Sequence, residues 1–152
     1  MIKINLVCVG NLKEKFFEEA QKEYLKRLSS FANVSIIEVS EKTNEDSIEK
    51  TLEKEADLIQ KHLKGFVILL DIEGKHVSSE NFAMYLKTLS LEHSVFTYVI
   101  GGSYGVSDTI KQRADARISF SKMTFPHRLA RIMLLEQIYR ANMIMANRSY
   151  HK

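Results

Sequence analysis

The stretch Val95-Phe96-Thr97-Tyr98-Val99-Ile100-Gly101-Gly102-Ser103-Tyr104-Gly105 decides the fold class of this chain. Its first six residues are a short and largely apolar run, which is typical of a strand buried on both faces of a parallel sheet. A glycine-containing turn follows, and then a short helix-like segment at 106–113. Because open parallel sheets bind ligands beyond the carboxyl ends of their strands, this turn is a candidate ligand-binding loop.

Similar segments alternate along the rest of the chain. Apolar, strand-like runs occupy residues 2–9, 34–39, 66–72, 95–100 and 117–121. Helix-like spacing of apolar residues occupies 13–28, 47–63, 79–91, 106–113 and 126–146. This alternation predicts one α/β domain over residues 1–152, with a largely parallel sheet and helices on both faces.

The basic residues are concentrated at the C-terminal end. Nine of the 22 lysines and arginines lie between residues 111 and 152, where Asp115 and Glu136 are the two acids. That segment carries a net charge of +7, whereas residues 1–110 carry 13 basic and 17 acidic side chains, a net charge of −4. A basic end on a near-neutral body suggests a polyanionic partner, although solvated helix faces explain the charge alone equally well.

Composition excludes several classes of protein. The one cysteine, Cys8, lies in the first strand-like run, where a small buried hydrophobe is expected rather than a nucleophile. A chain without an internal disulfide fits a reducing, cytoplasmic location. The apolar runs are far shorter than the roughly 18 residues that span a membrane, and no His, Cys and carboxylate set has metal-ligand spacing, so we expect neither a membrane segment nor a metal site.

The glycine turn also fits a different chemistry. Its five residues 101–105 match the G-x-S-x-G nucleophile elbow of α/β-hydrolases, with Ser103 as the nucleophile. Candidate acids and histidines follow in the matching chain order: Asp108 or Asp115, then His127 or His151. The chain is short for that fold and has no HGGG-type loop, so a small serine hydrolase is a minor alternative.

The last helix-like segment is apolar around most of its circumference. Leucines, isoleucines and methionines between Leu129 and Met145 leave few polar positions. Such a helix must be buried on more than one side, so we expect a homodimer formed through it.

Several motifs together resemble one known family. They are Val9-Gly10, Gly74-Lys75, Ile100-Gly101-Gly102, the block 119–127 (SFSKMTFPH), the block 136–141 (EQIYRA) and the terminal Tyr150-His151-Lys152. In register over the whole chain, this set is similar to the ribosomal RNA large subunit methyltransferase H family. The chain departs from the family pattern at Asn11, Tyr104 and 147–149.

The resemblance implies a fold and an activity. It implies a SPOUT-type α/β fold with a C-terminal trefoil knot, and a homodimer. It implies S-adenosylmethionine as methyl donor and N3 of a pseudouridine in 23S rRNA, within the assembled 70S ribosome, as acceptor. A non-enzymatic RNA-binding dimer that keeps the fold and the basic end is the main alternative.

The resemblance also implies which residues form the site. The implied donor-binding residues are Leu70, Gly101, Phe120, Ser121, Lys122, Met123, Thr124 and Phe125. His151 is the implied base or orienting group, helped by Tyr150, acting within one chain or across the dimer. Four basic residues are expected to contact RNA phosphates: Lys122, Arg128, Arg131 and Lys152.

Overall fold

Five strands and five helices alternate along the chain in the computed structural model, which describes residues 1–152. The strands are β1 (Ile2–Val9), β2 (Ala32–Val39), β3 (Phe66–His76), β4 (Val95–Ile100) and β5 (Ala116–Ser119). The helices are α1 (Lys15–Leu28), α2 (Ile48–Gln60), α3 (Ser79–Leu89), α4 (Asp108–Arg113) and α5 (His127–Met145). The strands form one sheet in the order β2-β1-β4-β3-β5, and every neighbouring pair is parallel. The predicted α/β class is confirmed.

Helices cover both faces of the sheet, as the alternation predicted. Leu6 and Cys8 of β1 belong to the core cluster that includes side chains of α1, α3 and α5, whereas Val7 and Val9 belong to the cluster that includes α2 and α4. Successive strand residues point to opposite faces, so a continuous apolar run fills both cores. Cys8 is buried, and burial raises the pKa of its thiol to about 12, which fits the expected packing role. No helix combines the length and apolarity needed to cross a membrane.

Strand β3 extends four residues beyond its predicted end at residue 72, because it contains a bulge. Ile118 of β5 pairs first with Leu70 and again with Lys75, so residues 71–74 leave the ladder between these two pairs. Gly74 closes the bulge where space is short: a Cβ there would lie 2.7 Å from the backbone carbon of Arg117. The bulge carries polar residues out of the sheet at the carboxyl end of β3, as bulges near active sites do.

The strand order brings three chain segments to one edge. Strand β3 lies between β4 and β5, so the bulge at 71–74, the glycine turn after β4 and the segment after β5 leave the sheet side by side. The glycine turn was predicted as a ligand-binding loop, and the same rule for the carboxyl ends of parallel strands applies to the other two segments. The fold therefore assembles residues that are up to 55 positions apart, from Leu70 to Phe125.

Arg131 fixes the last helix to the opposite end of the chain. Its side chain is 1% exposed and forms an ion pair of 2.7 Å with Glu38 of β2. The same guanidinium donates to the carbonyl oxygen of Gly10 at 3.1 Å and to Gln21 at 3.2 Å. This burial contradicts the expected contact between Arg131 and RNA phosphates, because the guanidinium is already held inside the protein.

We expect Arg131→Ala to lower the free energy of unfolding by roughly 2–4 kcal/mol, because it leaves Glu38 and the Gly10 carbonyl without their buried donor. Urea denaturation followed by circular dichroism measures this change. The control is Lys122→Ala, at an exposed side chain outside every ion pair, which should change stability by less than about 0.5 kcal/mol. Equal stability of the two variants would contradict the anchoring role.

Candidate functional site

A cavity of about 140 Å³ lies where β3, β4 and β5 end. Seven of the eight predicted donor-binding residues line it: Leu70, Gly101, Phe120, Ser121, Met123, Thr124 and Phe125. Lys122, the eighth, is exposed and does not line this cavity. The strand order thus brings together residues that sequence reasoning had placed at three separate strand ends.

The cavity also contains residues that the sequence reasoning missed as binding groups. Asp71 and Ile72 reach it from the bulge of β3, and His127 reaches it from the first turn of α5. The lining is completed by Ile100, Gly102, Gly105, Ser119 and Ala130. Asp71 directly follows Leu70 at a strand end, so position alone was a usable signal for it. Nothing in the periodicity distinguished His127 from a packing residue.

The cavity opens into a wider and more polar cleft of about 860 Å³. Eight residues line both spaces: Leu70, Asp71, Ile72, Gly102, Gly105, Thr124, Phe125 and His127. The outer cleft adds polar side chains, among them Glu73, Tyr104, Lys111 and Arg128. An apolar inner space with a polar entrance is the usual design of a small-molecule site.

The turn between β4 and α4 requires glycine at two positions. A Cβ on Gly101 would lie 2.4 Å from the carbonyl oxygen of Gly105, closer than real Cβ contacts allow. Gly105 itself has a φ of +79°, a region that glycine enters without strain. The turn is closed by a hydrogen bond of 3.1 Å from the Gly105 N–H to the Gly102 carbonyl. Its compactness lets main-chain atoms form one wall of the cavity.

Two carboxylates and one imidazole set the electrostatics of the cavity. Asp71 is largely buried and accepts a hydrogen bond of 3.2 Å from Arg117, while Glu73 lies at the cleft entrance. Burial, followed by the nearby Arg128 guanidinium, lowers the pKa of His127. His127 is therefore neutral near pH 7. The inner cavity thus contains one ion-paired carboxylate and an uncharged imidazole, whereas Glu73, Lys111 and Arg128 place charges of both signs at the outer cleft.

Ser103 does not form the nucleophilic arrangement that the hydrolase alternative requires. Its hydroxyl donates to Glu41 at 3.1 Å, and it makes no hydrogen bond to a histidine. A serine nucleophile is activated by a base within hydrogen-bond reach. Ser103 is an exposed residue on the turn, and the geometry favours a ligand-binding loop over a catalytic triad.

The C-terminal tail docks on α5 through a charged network. The Tyr150 hydroxyl donates to Glu136 at 2.7 Å, and Arg140 donates twice to the same carboxylate at 3.0 Å. The Arg140 guanidinium also lies 4.9 Å from the centre of the Tyr150 ring, a favourable cation–π contact. The hydrogen bond to Glu136 raises the pKa of Tyr150 to about 12, so this phenol is a donor and not a base near neutral pH.

The hydrogen bonds of His151 determine which ring nitrogen carries the proton. Arg140 Nη1 lies 3.0 Å from Nδ1 of His151, and a guanidinium can only donate. Nδ1 therefore accepts, and Nε2 carries the hydrogen that is donated to the carboxylate of Glu80. That hydrogen bond lowers the pKa of Glu80. In this docked position both nitrogens of His151 are occupied, so the imidazole has no free lone pair for a substrate proton.

The basic end divides into structural and free residues. Four of its nine basic side chains form ion pairs: Arg113, Arg117, Arg131 and Arg140. Arg128 donates to the Asn11 carbonyl at 2.6 Å and lines the outer cleft. Lys122 and Lys152 are exposed. Part of the charge asymmetry thus serves the fold, and Lys122, Arg128 and Lys152 stay available for the predicted phosphate contacts.

Comparison with known proteins gives this architecture a family. The family model described as "Predicted SPOUT methyltransferase" matches residues 2–151. The chain belongs to the SPOUT methyltransferase family. A ribosomal RNA large subunit methyltransferase H of Clostridium botulinum strain 657 is 48% identical over 161 residues, and that of strain Kyoto is 45% identical over 159 residues. Each match covers 99% of this chain and 100% of the relative, so the resemblance found in the sequence is confirmed.

A solved structure shares the overall fold of this chain. A probable methylase family protein from Haemophilus influenzae Rd KW20 superimposes with a TM-score of 0.54 at 10% identity, covering 98% of this chain and 70% of that chain. At this identity the similarity concerns the fold alone. The trefoil knot implied by the sequence resemblance stays a prediction.

We expect Gly101→Ala to weaken S-adenosylmethionine binding by at least ~10-fold, because the added methyl group pushes the turn away from Gly105 and deforms the cavity wall. Isothermal titration calorimetry measures the Kd. The control is Lys87→Ala, at an exposed side chain of α3 that lines neither the cavity nor the cleft, and it should leave the Kd unchanged. Tight binding by the Gly101 variant would show that the turn does not shape the donor site.

Proposed function

We propose that this SPOUT methyltransferase transfers the methyl group of S-adenosylmethionine to N3 of a pseudouridine in 23S rRNA of the assembled 70S ribosome. The observation that carries the proposal is the cavity at the carboxyl ends of β3, β4 and β5, which is lined by seven of the eight residues that the family resemblance selected. The names of the Clostridium botulinum relatives support large-subunit rRNA as the substrate class. An enzyme acting on ribosomes would work in the cytoplasm.

The residues of the cavity fit the proposed donor. The inner cavity and the outer cleft together exceed the roughly 300 Å³ at which ligand pockets begin. S-adenosylmethionine, when bound, supplies a methyl carbon on a positively charged sulfur, and its transfer to N3 breaks the carbon–sulfur bond and leaves a neutral thioether. The carboxylate of Asp71 lies in the inner cavity, where the neutral His127 adds no positive charge that would repel such a cation. Because the donor supplies both the reactive carbon and the leaving group, the protein mainly positions the two reactants.

The tail is proposed to serve the acceptor side of the reaction. N3 of the acceptor must lose its proton, and Tyr150 holds its own proton near neutral pH because of Glu136. His151 remains the candidate base, but Arg140 occupies its Nδ1 lone pair in the docked position. We infer that the His151–Arg140 contact breaks when RNA binds, and that the freed imidazole reaches the acceptor in its own chain or across a dimer.

A homodimer through α5 is part of the proposal. Leu129 is exposed, and Ile132 and Met143 are only partly covered in the single chain. Met123, beside the cavity, is 75% exposed. Exposed apolar side chains next to a ligand site suit a second copy that covers them. A monomeric mass in small-angle X-ray scattering at micromolar concentration would contradict the dimer.

Two measurements test the proposed activity. Calorimetry with S-adenosylmethionine and the folded protein tests donor binding, and its absence would rule out the methyltransferase. Mass spectrometry of 23S rRNA from a knockout strain tests the acceptor, where loss of one methyl group on a pseudouridine is expected. Donor binding with unchanged rRNA in the knockout would contradict the proposed acceptor. A non-enzymatic RNA-binding dimer would bind RNA without binding the donor.

We expect deletion of residues 150–152 to reduce methylation of 70S ribosomes by at least ~100-fold, because it removes the candidate base and its orienting phenol. The Kd for S-adenosylmethionine should change by less than about twofold, because none of the three residues lines the donor cavity. Transfer of a radiolabelled methyl group measures the activity. Ser149→Ala, at the exposed residue before the tail, is the matched control. Full activity of the deletion variant would remove His151 from the mechanism.

A further inference from the structure

A second cavity lies beside the donor cavity and has no role in the function described above. It has a volume of about 290 Å³ and lies between the start of α3, the end of β5 and the middle of α5. Phe120 lines both cavities, so the two spaces adjoin at this residue. A molecule in the second cavity would therefore be a direct neighbour of the donor.

The walls of the second cavity suit a flat heterocycle. Phe82, Ile118, Phe120 and Met133 supply apolar and aromatic surface, while Ser79 and Gln137 supply polar atoms. Unpaired RNA bases are bound in this manner, by packing of the ring on aromatic or apolar groups and hydrogen bonding of its edge. The volume is slightly below the range of drug-sized ligand pockets, about 300–1,000 Å³, and so favours a single base over a larger ligand.

The amide of Gln137 has a fixed orientation. Its Oε1 accepts a hydrogen bond of 2.7 Å from the Ser79 hydroxyl, and its Nε2 donates to Glu136 at 3.3 Å. Because a carboxylate can only accept, the nitrogen must face Glu136. One hydrogen on Nε2 and one lone pair on Oε1 remain unused. A primary amide with one free donor and one free acceptor matches a ring edge that presents a carbonyl beside an N–H.

Glu136 connects this cavity to the tail. It lines the cavity, and its two oxygens accept hydrogen bonds from Gln137, Arg140 and the Tyr150 hydroxyl. The second cavity is thus one side chain away from Tyr150 and shares Phe120 with the donor cavity. A base held here lies between the groups proposed to supply the methyl group and those proposed to handle the proton.

We infer that the second cavity binds the acceptor base and that Gln137 pairs with the N1–H and O2 of pseudouridine. The inference rests on the proposed function. Pairing through this edge leaves N3, on the other side of the C2 carbonyl, free to face the donor. Uridine carries its ribose on N1 and has no hydrogen there, so it cannot complete the same pair. Gln137 is therefore a specificity-determining residue that distinguishes pseudouridine from uridine.

The test compares two ribosomal substrates. One is 70S ribosomes with pseudouridine at the acceptor position, and the other is 70S ribosomes with uridine there, from cells that lack the pseudouridine synthase. We expect wild-type kcat/KM to be ~10–100-fold higher on the pseudouridine ribosomes, the discrimination typical of a lost hydrogen-bonded pair. Gln137→Leu should lower kcat/KM on pseudouridine ribosomes to near the uridine value and leave the uridine value unchanged.

Two further variants keep the result interpretable. Gln137→Glu retains an acceptor for N1–H but removes the donor to O2, and should show intermediate discrimination. Gln60→Leu, at an exposed glutamine at the end of α2, should discriminate as the wild type does. Calorimetry with S-adenosylmethionine should give the same Kd for all variants, which verifies that they are folded.

The outcomes distinguish failure of the inference about Gln137 from failure of the proposed function. If Gln137→Leu folds, binds the donor and keeps the wild-type ratio between the two substrates, the inference about Gln137 is wrong and the proposed function stands. If Gln137→Leu does not fold, the test uses Gln137→Glu instead. A wild-type ratio between the two substrates for that variant would show that the inference about Gln137 is wrong. If the wild type methylates neither ribosome, the proposed function fails and the inference fails with it.

Discussion

The buried guanidinium of Arg131 is the contact on which the rest of the structure depends. It joins the last helix to the ends of the first two strands through Glu38 and the Gly10 carbonyl. A charge this deeply buried requires partners in place on every side. The helix that carries Arg131 begins at His127 in the donor cavity and contains Glu136 and Arg140, which hold the tail. This interaction and the core packing of Leu134, Leu135 and Ile138 together fix the position of α5, and α5 positions both halves of the site.

The cavity at the strand ends and the C-terminal tail differ in how firmly they are held. The donor cavity is built from strand ends and a glycine turn that β3, β4 and β5 hold in a fixed register. The tail is held by a few charged hydrogen bonds at partly exposed side chains. The hydrogen bond between His151 and Glu80 lies at partly exposed side chains, where water can replace it at small net cost, so His151 can leave its docked position. A rigid cavity with a releasable imidazole suits the proposed action on a large particle.

Much of the fold could be predicted from the sequence, because buried parallel strands leave a strong apolar signature. Strand β4 was predicted with its observed bounds, since the run from Val95 to Ile100 is largely apolar and the glycine turn follows it directly. The extension of β3 was missed, because the polar residues of its bulge resemble a loop. Arg131 was expected on the surface, since neither charge nor periodicity reveals a partner 93 residues away. The docking of His151 on Glu80 depends in the same way on tertiary proximity.

The strand order has a consequence for folding during synthesis. Strand β1, the first to be synthesised, pairs with β2 but also with β4, and its core face is covered by residues of α5. The first strand therefore acquires its complete surroundings only after the final helix has left the ribosome. Such separation between contacting residues slows folding, and it leaves β1 without part of its core until α5 has been synthesised.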